Sequence, residues 1–117
     1  MRPLSKKKAA EILRRVASHI KRWPHLYSYG AGTIPTKPGQ QACVLARAGK
    51  LMRMRPDTPL PAIAERLGFG GREYWDAESA FYNAVCDSSN GSIWMLRAGV
   101  SEAVRKLADT LYPRKAS

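Results

Sequence analysis

A chain of 117 residues has room for one hydrophobic core and not two, which excludes a multidomain enzyme. With 44% hydrophobic residues and charges spread along its length, it has the composition of a globular protein, not a disordered one. Twenty Lys and Arg against nine Asp and Glu give a net charge of +11, a field that draws polyanions: nucleic acid, an anionic membrane surface or an acidic protein.

That charge is polarised. Residues 1–22 carry eight basic side chains and one acidic, and residues 23–60 carry five and one. Residues 61–96 invert the balance to two and five, and residues 97–117 restore it to five and two. Only two cysteines, Cys43 and Cys86, are present, which excludes a disulfide scaffold. Free thiols are expected, with a single bridge between the two left open. No run of 18 apolar residues exists, and the start lacks the apolar stretch and small-residue cleavage site of a secretory signal. The expected location is therefore the cytoplasm, with no membrane partner.

The strongest periodicity covers residues 5–22. Ala9, Ile12, Leu13, Val16, Ala17 and Ile20 fall on one helical face and are assigned to the core. Lys7, Arg14 and Lys21 share one heptad position, and Lys8, Arg15 and Arg22 share its neighbour, so six cations line the opposite face. Glu11 stands four residues from both Lys7 and Arg15, where it offsets some repulsion. Ser5 is the expected N-cap. Pro24 disfavours a helical Trp23 and ends the helix there. Residues 25–39 have no helical period and are rich in Gly, Pro, Tyr and Ser, as in a long binding loop.

A second helix fits residues 40–53, where Ala42, Cys43, Leu45, Ala46, Gly49 and Met52 supply a small and apolar face. Asp57 or Thr58 caps a short third helix over residues 61–67, with Gly68 as its stop. A fourth helix fits residues 72–86, burying Tyr74, Ala77, Phe81 and Val85 with Trp75 and Tyr82 on the flank. Residues 87–92 read as a turn. The short apolar run 93–96 fits a strand or one helical turn equally. Ser101 caps a last helix through Leu111, with Val104, Leu107, Ala108 and Leu111 facing the core.

Residues 63–85 resemble a helix-turn-helix in layout, two helices joined by a glycine-bearing turn. Its second helix, however, carries Glu73, Asp76 and Glu78 against Arg72 alone, which phosphates would repel, so an ordinary helical hairpin is the better description. Catalytic signatures are missing. His19 and His25 lack metal-ligand spacing with each other or with the cysteines. The glycines near residues 30 and 70 lack the contexts of dinucleotide and phosphate loops. Neither a catalytic residue, a metal site nor a cofactor is expected, and the protein is read as no enzyme.

Taken together, Trp23, the run Cys43-Val44-Leu45-Ala46, the run Phe81-Tyr82-Asn83 and the final Ala103-to-Leu111 segment resemble a family of small uncharacterised bacterial and phage proteins. Ala84 departs from that family's aspartate. The resemblance implies an all-helical fold and supplies no activity.

The sequence thus predicts an all-α fold over residues 1–117, a compact bundle of four to five short helices with a long loop after the first. The first and last helices should pack across the second and fourth. Its expected partner is a polyanion, most simply nucleic acid, held by Lys7, Lys8, Arg14, Arg15, Lys21 and Arg22. Arg47, Lys50, Arg53 and Arg55 would add to this surface, and Trp23 and Tyr27 would stack on unpaired bases. The alternative is a protein–protein module, a small phage or mobile-element regulator or inhibitor docking on an acidic or nucleic-acid-binding protein.

Overall fold

Apolar residues at helical spacing become the longest helix among the described residues. A computed structural model describes residues 2–28, 30–70, 76–89 and 96–113. Helix α1 spans Lys6–Arg22, and its Ser5 cap accepts a hydrogen bond from the Lys8 amide at 3.2 Å. Ala9, Ala10, Leu13, Val16, Ala17 and Ile20 are buried, while Ile12 packs at the edge of the core. Trp23 closes the helix and Pro24–Leu26 forms one 3-10 turn.

The expected second helix is shorter at both ends. Helix α2 runs Val44–Leu51, because Cys43 serves as its N-cap, its sulfur accepting from the Ala46 amide at 3.4 Å. Ala42 is extended instead, exchanging hydrogen bonds with Leu26 and Ser28 around a parallel Tyr27–Ala42 bridge. These bonds tie the two ends of the long loop together, and buried Ile34 pins its middle into the core. At the far end, Met54 N–H bonds Gly49 and Arg53 N–H bonds Lys50, a Schellman closure that puts Arg53 at φ 58°.

Helix α3 spans Leu60–Arg66. Neither Asp57 nor Thr58 caps it; Pro59 holds the cap position without a side-chain bond. It stops as expected at Gly68, whose φ of +96° permits the paired bonds Gly68 to Glu65 and Phe69 to Ala64.

Helix α4 spans Ala77–Ser89, starting and ending later than its periodicity predicts. Asp76 is the reason at the start, since its carboxylate accepts from the Ser79 amide at 2.8 Å and so caps the helix instead of lying within it. The helix also continues through part of the expected turn. Tyr82 is buried beside Phe81, not on the flank. Tyr74 and Trp75 lie outside the described residues.

Helix α5 spans Leu96–Leu111, so Ser101 is no cap. Its hydroxyl donates to the Ala17 carbonyl of α1 at 2.7 Å. Residues 93–95 of the apolar run lie outside the described residues.

All five helices join one core, and no strand forms among the described residues. The principal helix contact is α1 on α5; α4 packs on α5 and α3, and α2 packs on α3 and α1. A radius of gyration of 13.1 Å is what close packing gives a chain of this length.

Gly49 marks the closest approach of α2 to its neighbours. A Cβ there would lie 2.8 Å from Ile63 Cδ1 and 2.9 Å from Ile34 Cδ1. Both isoleucines are buried, so overpacking outweighs the gain in helix propensity of about 1 kcal/mol. Gly49→Ala should lower stability by about 1 kcal/mol in urea denaturation, and Ile63→Val should recover part of that loss. Additive losses in the double variant would contradict this packing.

Candidate nucleic-acid interface

Burial of the apolar side of α1 leaves Lys6, Lys7, Lys8, Arg15, Lys21 and Arg22 exposed on its outer side. The described residues contain three ion pairs, and none involves these six cations. Glu11 is exposed but bridges neither Lys7 nor Arg15. The ridge therefore follows a helix of 17 residues, about 25 Å long, with three cations at its start, one in the middle and two at its end.

Arg14 departs from the expected stripe. Its side chain is only 14% exposed, and one terminal nitrogen bonds Asp109 at 2.8 Å and the Tyr112 carbonyl at 2.5 Å. The guanidinium thus satisfies the carbonyl end of α5 and an acid in its last turn, where a cation is favoured. That nitrogen is committed within the fold, which takes Arg14 out of the exposed stripe.

Beyond the end of α1, Trp23 is 42% exposed and carries the Arg22 guanidinium 5.5 Å above its ring. The His25 ring meets it edge-on at 6.1 Å. Tyr27 is different. Its hydroxyl lies 2.8 Å from His19 Nδ1, and its ring faces the Arg47 guanidinium at 5.5 Å. Burial pushes its phenol up to about 12, against the opposing pull of the Arg47 charge. Tyr27 is an internal strut and not a free stacking platform.

The second group of cations does not form one surface. Arg47 is 8% exposed, and its Nε has no hydrogen-bond partner. Lys50 is exposed but donates to the Pro35 carbonyl at 3.1 Å. Arg53 is exposed at the end of α2, and Arg55 lies 3.6 Å from Asp57, both well exposed. Such a surface pair is worth little and yields readily to a competing anion.

Residue pattern alone places Arg47 among surface cations. Every other residue from Ala42 to Gly49 is small or apolar, the signature of a short helix buried all round, and that was the available signal for its burial. The convergence of His19, Tyr27 and Arg47 from α1, the segment after the 3-10 turn and α2 has no sequence signature.

Cys43 and Cys86 are not joined in a disulfide; the first is buried and the second partly so. Burial, and then the Asp87 charge, raise the Cys86 thiol above its usual value, which disfavours a thiolate nucleophile. No three His, Cys, Asp or Glu among the described residues are grouped to hold a metal ion. None of the described helices is long and apolar enough to cross a membrane. No protein-family model matches this chain, and no curated protein or solved structure shows significant similarity to it.

Two substitutions separate structural cations from free ones. Arg14→Gln should cost about 1 kcal/mol of stability while leaving affinity for a polyanion nearly unchanged. A large affinity loss at unchanged stability would overturn that assignment. His19 is lowered by burial and then by the Arg47 charge, so the folded state favours its neutral form. The unfolded state binds more protons below its value of 6.5, and the associated stability is complete above that pH and lost as pH falls through the lower folded value. His19→Gln should flatten that part of the stability–pH curve; equal slopes would contradict the shift.

Proposed function

We propose that this is a non-enzymatic binding protein whose α1 ridge engages a polyanion, most simply nucleic acid, in the cytoplasm. The observation that carries the reading is that Lys7, Lys8, Arg15, Lys21 and Arg22 are exposed and take part in no ion pair among the described residues, and Glu11 is the one carboxylate on their helix. Cations at these spacings neutralise successive phosphates without reading base edges, so binding is salt-dependent and largely indifferent to sequence. Trp23, at the end of the same ridge, offers a stacking face to an unpaired base, which favours single-stranded or looped nucleic acid over a plain duplex.

The acidic helix α4 packs on α3 and α5, which leaves the ridge unopposed by it. Neither Arg14 nor Arg47 belongs to the exposed ridge, because one is bonded within the fold and the other is buried on α2. Arg53 extends the basic surface from the end of α2, held in a left-handed conformation that costs a non-glycine residue about 1 kcal/mol.

A second reading is favoured by the exposed Arg22–Trp23 pair, since Arg and Trp are prominent in the hot spots of protein interfaces. Under it the protein is a protein–protein module, such as a small phage or mobile-element regulator. Recovery of one stoichiometric protein partner from lysate that survives nuclease treatment would select this reading; nuclease-sensitive recovery selects the first.

Replacing Arg15, Lys21 and Arg22 together with glutamine tests the ridge. Affinity for single-stranded DNA should fall, and the slope of log affinity against log salt should flatten by about 2. Trp23→Ala should weaken the same complex by about 1–3 kcal/mol with little change in salt slope. Unchanged binding in the triple variant would remove the ridge from the account.

A further inference from the structure

Arg47 is a charge with no counterion among the described residues. It is 8% exposed, its Nε is both buried and unbonded, and none of the ion pairs among the described residues includes it. An arginine cannot relieve such a position by giving up its proton. The ring of Tyr27 faces the guanidinium at 5.5 Å, which attracts the cation but does not neutralise it. Tyr27 supplies no phenolate at ordinary pH, because burial raises its hydroxyl to about 12.

The Tyr27 hydroxyl also bonds this guanidinium, whose charge acts on His19 as well. Tyr27 Oη and His19 Nδ1 are 2.8 Å apart, and either order of donation leaves one N–H or O–H of the pair unused. If the hydroxyl donates to Nδ1, the neutral imidazole keeps its proton on Nε2; if Nδ1 donates, the hydroxyl hydrogen is free. The group is assembled from α1, the segment after the 3-10 turn and α2, and the Tyr27–Ala42 bridge fixes the last two together. Trp23 and Arg22 follow His19 by one helical turn, so the exposed ridge ends beside the cluster.

We propose that Arg47, Tyr27 and His19 form a seat for a single phosphate group, whose negative charge supplies the counterion that the fold omits. A planar carboxylate is satisfied by the guanidinium fork alone, whereas a tetrahedral phosphate presents a further oxygen to the one donor left unused on the Tyr27–His19 pair. The phosphate belongs either to a small molecule, such as inorganic phosphate or a mononucleotide, or to a nucleic-acid strand lying along the ridge. This seat does not depend on the ridge reading, since free phosphate would fill it even if the ridge bound nothing.

The test follows the Arg47 Nε–H and His19 ring signals by NMR in the intact protein. Inorganic phosphate, a nucleoside 5′-monophosphate and a short oligonucleotide lacking terminal phosphate are titrated separately, with chloride at matched ionic strength as the control. At least one phosphate-bearing probe should shift both signals saturably while chloride does not. Saturation by the first two identifies a small-molecule source, and saturation by the oligonucleotide alone identifies a strand. Tyr27→Phe, which keeps the ring under Arg47, should weaken binding about tenfold, the value of one hydrogen bond. Arg47→Met should abolish it, and the Arg15, Lys21 and Arg22 triple glutamine variant should retain the response to inorganic phosphate or monophosphate if either binds. Absence of saturation with all three probes, an equal response to chloride, or undiminished binding in Tyr27→Phe would overturn the proposal.

Discussion

The apolar face of α1 must be covered, and α5 covers it. That seam determines how the rest of the helix is used. Leu13, Val16, Ala17 and Ile20 on one side, with Val104, Leu107 and Ala108 on the other, are buried in the common core. Two polar contacts set the register of the seam: Ser101 to the Ala17 carbonyl, and Arg14 to Asp109 and Tyr112. Hydrophobic burial supplies most of the driving force, and the directional bonds select one alignment of the two helices. With the inward side committed, the remaining lysines and arginines face solvent together, and the basic ridge is a consequence of how the core is closed.

Cations on this protein fall into three physical situations. Those on the outer side of α1 form no ion pair among the described residues, so their charges act outward. Arg14 and Arg55 are paired with acids, and Lys50 with a backbone carbonyl. Arg47 alone is buried without an anion, within reach of a tyrosine and a histidine whose own protonation it influences. A net charge of +11 does not distinguish these cases; only the position of each side chain relative to the core does.

Much of the helical architecture was legible because periodicity and stop signals are local. The α1 core face, the Ser5 cap, the break at Pro24 and the Gly68 stop all follow from residue chemistry within one or two turns. Boundaries failed where a side chain acted as a cap with no unique sequence mark. Cys43 and Asp76 both sit inside segments whose apolar spacing continues through them, and each instead terminates its helix. Ser101 failed in the opposite sense, since a serine that looks like a cap is bonded to another helix. The exposed ridge was readable from heptad positions, apart from Arg14, whose partner lies 95 residues away in sequence. The fate of Tyr27 and Arg47 was not, because it depends on the long loop returning to pair with the chain after the first helix.

The central claim is that α1 presents cations to a polyanion, and the salt dependence of the unmodified protein's affinity for a single-stranded oligonucleotide tests it most directly. Phosphate contacts by five of the six ridge cations, Lys7, Lys8, Arg15, Lys21 and Arg22, predict a log–log slope of about −3.5. A slope near zero, or no measurable binding at low salt, would contradict the account.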